Sequence, residues 1–397
     1  MSTPLCFVRC AARSARPRAA LGLLGAGILV AGLQFAGCSS SAATGDAAGP
    51  VASAERSDPA EGRGIGTRDR WARRGDPALG QFDVPAPLSG VEQSELRRTA
   101  VDLLTRAASS NHALLRANAI ESLEPVPEAL MPAVRLGLGD ENRGVRFIAT
   151  MMVGRKKMTS FAPLVEPLLD DPSGSVRAAA IYALIQCDRP VDRSPLASLV
   201  TSEDLEVRAN SAMILGLIGD PSAVPLLRAA MKVASPTKSP NAVRSVEMQV
   251  AEALFRLEGE QSDLEVIRAG LFAGEGDEEL SALASQLCGS LKDEASMKTL
   301  AWIGWRPEPP VPAEVRMAAA TGLARINPFI GGGEALQPGP LLSHVGSEEP
   351  ALRAQAAIGL GWFRSPEVLP TLSTMIRDRN AMVQVAAAGA ILRALGA

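Results

Sequence analysis

The chain has 397 residues and a formal net charge of −3, and 47% of its residues are hydrophobic while only 4% are aromatic. Nucleic-acid-binding domains are usually strongly basic, so this charge balance excludes nucleic acid as an expected partner. With so few aromatic residues, alanine and leucine must fill the core, which favours closely packed helices over a β-sandwich.

The first residues have the pattern of a bacterial export signal. Four arginines precede an uncharged apolar run over residues 19–33, and no acidic residue precedes it. The run leads into a Phe-Ala-Gly-Cys sequence that resembles a lipobox. This resemblance implies that residues 1–37 are removed, that Cys38 carries lipid, and that Ser39 directs the protein to the outer rather than the inner membrane. The alternative is an uncleaved membrane anchor, because residues 19–37 are nearly long enough to span a bilayer.

Residues 38–90 are predicted to form a disordered tether. They are rich in Ala, Gly, Ser, Pro and Asp and show no apolar period. A flexible chain of this length spans on the order of 40 Å, which is enough to hold a folded domain clear of a membrane.

One motif recurs through residues 91–397. An aliphatic residue followed by arginine opens an alanine-rich segment, and another aliphatic residue follows eight positions later. Complete copies begin at Leu115, Val145, Val176, Val207, Val315 and Leu352, and copies without the arginine begin at Val246, Leu280 and Val383. Steps of roughly 30 to 39 residues between copies indicate a stacked array of helical repeats.

Turn signals separate these segments, as Gly219 and Pro221 do after the copy at Val207. The sequence from Val207 to Leu227, and again from Leu352, closely resembles the HEAT-like repeat of the phycobilin (PBS) lyase type. The resemblance implies an all-α fold, an α-solenoid with a right-handed superhelix of about nine HEAT-like helix pairs. Two insertions, at 232–241 and 327–340, lengthen two loops. These loops either take part in binding or are tolerated sequence variation without a function.

The motif arginines are predicted to be structural. An arginine in the first helical turn opposes the helix dipole, and acidic residues just upstream, such as Asp140 and Asp171, offset that cost. We therefore expect a ladder of ion pairs within or between repeats. An acid–base site is the alternative, although no nucleophile accompanies these residues. The ladder arginines are Arg116, Arg146, Arg177, Arg208, Arg316 and Arg353.

We number motif positions by their distance from the first, aliphatic residue, which is position zero. Helical spacing places positions six and ten on the inner wall of the solenoid. Position six gives Met151, Tyr182 and Met213, and position ten gives Arg155, Arg256 and Trp362. An apolar stripe rimmed by charge is typical of a partner-binding site, although these side chains could instead pack between neighbouring helices. Trp305, in an expected turn, is a further candidate for partner binding, or else covers the end of a short helix.

Enzymes occur among HEAT-like proteins, and deoxyhypusine hydroxylase holds two irons with several His-Glu pairs. The sequence contains two histidines, His112 and His344, and neither is followed by Glu. We therefore expect no metal and no cofactor. Cys187 and Cys288 lie three repeats apart, too far for a disulfide, and are expected to be buried thiols.

The sequence thus predicts a secreted, lipid-anchored, monomeric scaffold that binds a protein partner at the cell envelope without catalysis. The alternative is a lyase or another enzyme of the HEAT-like group that binds a chromophore or small molecule.

Overall fold

The computed structural model describes residues 86–235, 238–274, 276–306, 311–329 and 333–396. The predicted signal peptide and nearly all of the predicted tether lie outside the described residues. The described part contains eighteen α-helices and no β-strand, and its only β-bridge joins Phe329 to Ala335. None of these helices combines the length and apolar character that crossing a membrane requires.

The eighteen helices form nine pairs, and the second helix of each pair carries the repeated motif. The first, outer helices are α1 (Gly90–Ala107), α3 (Pro127–Gly137), α5 (Ala162–Val165), α7 (Pro195–Leu199), α9 (Val224–Ala230), α11 (Gln261–Gly270), α13 (Met297–Trp305), α15 (Gly339–Leu342) and α17 (Val368–Met375). The second, inner helices are α2 (Ala113–Ser122), α4 (Arg143–Arg155), α6 (Gly174–Gln186), α8 (Leu205–Ile218), α10 (Pro240–Glu258), α12 (Glu278–Ser290), α14 (Ala313–Ile326), α16 (Pro350–Leu360) and α18 (Ala381–Gly396). The predicted all-α solenoid of about nine pairs is confirmed, while the handedness of its superhelix stays a prediction.

Local sequence signals set the bounds of these helices. The carboxylate of Asp204 accepts the backbone N–H of Glu206 at 2.9 Å and so caps the start of α8. The same helix ends at Gly219, whose φ of 76° places it in the left-handed region that glycine adopts without strain. At α1, Ser89 and Glu92 form a reciprocal capping box.

The inner helices are buried on several sides at once, which explains their alanine content. In α6 every residue from Gly174 to Leu184 is buried except Arg177. Such a helix contacts its outer partner and an inner helix on either side, so only small side chains fit on much of its surface.

At every second inner helix, a glycine at motif position nine lets the next inner helix approach closely. A Cβ atom placed on Gly216 of α8 would lie 2.9 Å from the Cα atom of Ala253 in α10. A Cβ on Gly289 of α12 would lie 2.8 Å from the Cα of Gly322 in α14, and one on Gly361 after α16 would lie 2.9 Å from the Cα of Ala390 in α18. Side chains larger than hydrogen at these glycines would push the helices apart.

The array closes into a ring, which the sequence did not predict. The last inner helix, α18, packs against both α1 and α2. A Cβ atom on Gly389 of α18 would lie 2.9 Å from the Cβ atom of Ser122 in α2, so this closing contact is as tight as those between consecutive repeats. Each of the nine inner helices therefore has two inner neighbours.

The expected arginine ladder is present in part, and it joins consecutive repeats. Arg116 donates two hydrogen bonds to the carboxylate of Asp140, both 2.7 Å long. Arg353 binds Asp378 in the same bidentate way at 2.7 and 2.8 Å. Arg146 likewise binds Asp171 at 2.7 and 3.0 Å.

Arg177 and Arg208 depart from this pattern. Arg177 donates to the carbonyl oxygens of Asp171 and Pro172 rather than to a carboxylate. Arg208 donates to the carbonyl oxygens of Ser202 and Val233, because the insertion at 232–241 replaces the acidic turn that follows the other motif helices. Arg316 donates to the carbonyl oxygen of Gly304. For Arg208 the expected acidic partner was wrong. Burial without a carboxylate lowers the pKa of its guanidinium.

Both cysteines in the described part are free and buried, as expected. Burial raises the pKa of the Cys288 thiol to about 11. A thiol with such a pKa stays protonated at neutral pH and is a poor nucleophile.

Candidate binding site at the centre of the ring

The predicted stripe of Met151, Tyr182 and Met213 is not an open surface. These residues are 0%, 5% and 7% exposed, respectively. The ring of Tyr182 lies over Gly154 of the preceding inner helix, where a Cβ atom would come within 2.5 Å of it. The expectation of an exposed stripe was wrong, because the close approach of the inner helices buries position six.

Trp305 does not lie in a turn either. It is the last residue of α13 and is half-buried. The assignment of Trp305 to a turn was therefore wrong, because the helix extends as far as this residue. Among the tryptophans of the described ranges, the exposed one is Trp302, one turn earlier, with 49% of its surface accessible. The guanidinium carbon of Arg306 lies 3.8 Å from the centroid of the Trp302 ring, which holds this side chain in place.

The residues at motif position ten come together at one end of the ring. The arginine ladder joins the starts of consecutive inner helices, and Arg155 at the end of α4 pairs with Glu124 beyond the end of α2 at 3.1 Å. Inner helices therefore run in the same direction, and their last turns share one face of the ring. Arginines occupy the last turns of α4, α10, α14 and α18; these are Arg155, Arg256, Arg325 and Arg393. A cation at this end is favoured by the helix dipole.

We call the side chains that meet here the central cluster. It comprises Glu121, Glu124, Arg155, Tyr182, Glu252, Arg256, Lys292, Arg325, Trp362 and Arg393, which Coulomb interactions, ion pairs and ring contacts link into one group. Arg155 and Arg256 each have a carboxylate partner, since Arg256 donates to Glu252 at 2.7 Å.

Trp362 lies between two arginines of the cluster. The guanidinium carbons of Arg325 and Arg393 are 4.9 and 4.8 Å from the centroid of its ring. All three side chains are half-buried, so they retain access to solvent. Burial, together with the nearby charge of Arg393, lowers the pKa of Arg325 to about 10, and burial also lowers the pKa of Arg393. Both guanidinium groups nevertheless remain charged at neutral pH.

Glu121 is the most deeply buried acid of the cluster. Burial raises the pKa of its carboxyl group to about 8, against the opposing effect of Arg155 and Arg393. It borders a cavity of about 20 Å³ between α2 and α18, which is enough room for one water molecule. Asn118 Oδ1, Glu121 Oε1 and Arg393 Nη1 are buried here without a hydrogen-bond partner. The closing contact of the ring thus contains several buried polar groups.

Among the candidate residues of the sequence, the structure brings together Arg155, Tyr182, Arg256 and Trp362. It adds Glu121 at motif position six and Arg325 and Arg393 at position ten, which share the rows of the candidates but were not chosen as candidates from the sequence. Lys292, two residues beyond α12, had no signal in the repeat pattern.

No three histidine, cysteine, aspartate or glutamate side chains in the described ranges are grouped in a way that could hold a metal ion. His112 lies at the start of α2 and His344 follows α15, in different repeats. Burial lowers the pKa of His344.

A family model of HEAT repeats matches residues 129–208, 161–239 and 339–396 of the chain. The chain therefore carries HEAT repeats, and its other helix pairs continue the same array. No curated protein matches the sequence.

Several solved structures match the chain at low similarity. Human deoxyhypusine hydroxylase is 16% identical, with 77% of this chain and 99% of that chain covered and a TM-score of 0.31. A mutant of Kap121p is 15% identical, with 77% and 37% covered and a TM-score of 0.32. YibA of E. coli is 17% identical, with 76% and 97% covered and a TM-score of 0.26. No function follows from likeness at this level.

Proposed function

We propose that this protein is a lipid-anchored, non-catalytic scaffold of the cell envelope that holds a protein partner at the face of the ring bearing the central cluster. The observation that carries the proposal is the convergence of half-buried arginines and Trp362 from separate repeats on that one face. Arginine and tryptophan are the residue types most enriched at the centres of protein interfaces.

The chemistry of the cluster favours binding over catalysis. Its members are cations, carboxyl groups and aromatic rings, and the carboxylates of Glu124 and Glu252 are engaged by Arg155 and Arg256. Such a set recognises charge and shape, whereas covalent catalysis needs a nucleophile beside a base.

The proposed anchor rests on the lipobox-like sequence that ends at Cys38. The first helix begins at Gly90, directly after the predicted tether, and packs beside α18. A tether there would hold the ring by its closing contact.

The anchor is tested with Cys38→Ala in the full-length protein. We expect the variant to lose lipid labelling and to leave the membrane fraction. If it stays with the membrane after an alkaline wash, an uncleaved helix anchors the chain and the lipoprotein proposal is wrong.

The scaffold function is tested by crosslinking and pull-down from the native envelope. Arg256→Ala should reduce capture of the specific partner at least tenfold, because truncating an interface anchor costs about 2 kcal/mol or more. Arg189→Ala is the matched control, since Arg189 forms an exposed pair with Glu166 away from the cluster.

Equal capture by both variants would place the partner elsewhere, and Trp302→Ala then tests the exposed tryptophan. A bound pigment or a small-molecule cofactor on the purified protein would favour the lyase alternative.

A further inference from the structure

Two arginines of the central cluster lack the partners that the other arginines of the ring have. No described carboxylate lies within 4.0 Å of the guanidinium groups of Arg325 or Arg393. The hydrogen bond that Arg325 makes is a long one of 3.5 Å from Nη1 to the carbonyl oxygen of Gln286. Nη1 of Arg393 is buried without any acceptor.

Further cations surround this pair. The ammonium group of Lys292 donates to the carbonyl oxygen of Arg325, and the charge of Arg325 helps to lower the pKa of Lys292, after burial. Arg256 also lies close enough to Arg325 to disfavour its charged form. These four basic side chains come from four different repeats and meet beside one tryptophan.

The carboxyl groups of the cluster do not balance these charges. Arg155, Arg256, Lys292, Arg325 and Arg393 outnumber Glu121, Glu124 and Glu252 by five to three. The excess is larger while Glu121 is protonated. A protein with a net charge of −3 thus concentrates positive charge at its centre. Like charges that are held together in a partly desolvated site favour a bound anion.

We propose that Arg325 and Arg393, supported by Lys292 and Arg256, bind an oxyanion, namely a phosphate or carboxylate group, at the centre of the ring beside Trp362. This inference rests on the proposed function, because it names the chemical group by which a partner or ligand is recognised.

The geometry favours an oxyanion over a halide or a neutral group. A guanidinium group offers parallel N–H donors in a fork that matches two oxygens of a phosphate or carboxylate. Trp362 contacts both guanidinium groups, which leaves their N–H edges for the anion. The anion would not lie over the ring face, because the negative face of the tryptophan repels it.

The inference is tested on the full-length lipidated protein in detergent by thermal unfolding. Titration with inorganic phosphate, at an ionic strength held constant with sodium chloride, should raise the melting temperature by about 3 °C or more at saturation. Acetate and phosphate in parallel titrations distinguish a carboxylate from a phosphate site. If neither anion stabilises the protein more than chloride does, the inference is wrong.

Two variants locate the site. Arg393→Gln and Arg325→Gln should each raise the half-saturating phosphate concentration at least tenfold, whereas Arg189→Gln should leave it unchanged. If a glutamine variant does not fold, Arg325→Lys keeps the charge and loses the fork, and binding should still weaken severalfold. Wild-type affinity in all these variants would overturn the assignment.

This outcome is separable from that of the scaffold function. Partner capture without anion binding would refute the oxyanion site alone. Anion binding without partner capture would refute the protein scaffold and leave a small-anion-binding ring.

Discussion

The two ends of the inner helices treat the same residue type in opposite ways. At their starts, Arg116, Arg146 and Arg353 each form a bidentate pair with an aspartate of the next repeat. At their ends, Arg155 and Arg256 pair with glutamates, whereas Arg325 and Arg393 have no described carboxylate within 4.0 Å. The helix dipole contributes to the difference, since it disfavours a cation at the start, where a carboxylate offsets the cost, and favours a cation at the end even without a carboxylate. Carboxylate-paired arginines at the starts thus join consecutive repeats, whereas Arg325 and Arg393 at the ends keep N–H donors for a ligand.

The largest effect is expected at the starts of the helices. Arg146→Ala leaves the carboxylate of Asp171, whose side chain is 4% exposed, buried without its cation. Breaking a buried pair from one side costs about 3–5 kcal/mol, which urea unfolding measures. Arg189→Ala, in an exposed pair with Glu166, should cost less than about 1 kcal/mol. Similar losses in both variants would contradict the structural role of the ladder.

Tyr182→Ala should be the next most costly change. The ring is almost fully buried over Gly154, and removing a buried aromatic ring costs about 3 kcal/mol or more. The melting temperature of the variant, compared with that of Tyr182→Phe, measures the packing separately from the hydroxyl. A melting temperature that does not move would mean that Tyr182 is a surface residue after all.

Glu121→Gln tests the polar closing contact through its pH dependence. The folded protein holds a proton on Glu121 up to a pH of about 8, whereas the unfolded chain releases it near pH 4.5. Stability from this group is therefore complete below pH 4.5 and is lost as the pH rises towards 8. We expect the glutamine variant to be more stable than wild type at pH 8, by about 4 kcal/mol, and nearly equal at pH 4.5. Parallel pH profiles for the two proteins would show that Glu121 is ionised in the fold.

The smallest effect on stability is expected for Arg256→Ala. Its pair with Glu252 is a partly exposed i,i+4 contact, with 30% of the arginine side chain accessible. Such pairs contribute about 0.5 kcal/mol. The unfolding midpoint should barely move, which makes this variant a usable probe of binding. A loss comparable to that of Arg146→Ala would mean that the two ends of the helices do not differ.

The sequence predicted the features that one or two repeats determine. The motif spacing gave the nine pairs, and Asp140 and Asp171 were named as ladder acids, because an arginine and the next acidic turn are neighbours in every repeat. Contact between Ser122 and Gly389 could not be predicted, since it depends on small rotations that accumulate over all nine pairs. The burial of Met151 and Tyr182 was missed for a related reason. It depends on how closely neighbouring inner helices approach, and a glycine at position nine is compatible with both loose and tight packing.

Ring closure also changes how the fold should come apart. In a linear array the first and last repeats have a single neighbour, so they fray at low free energy while the middle stays folded. Here α18 lies against α1 and α2, so every helix pair has neighbours on both sides. Opening any pair breaks two interfaces, and the remaining array then has two exposed apolar faces. Amide protons at the first and last inner helices should therefore exchange as slowly as those of α8, in one cooperative unit.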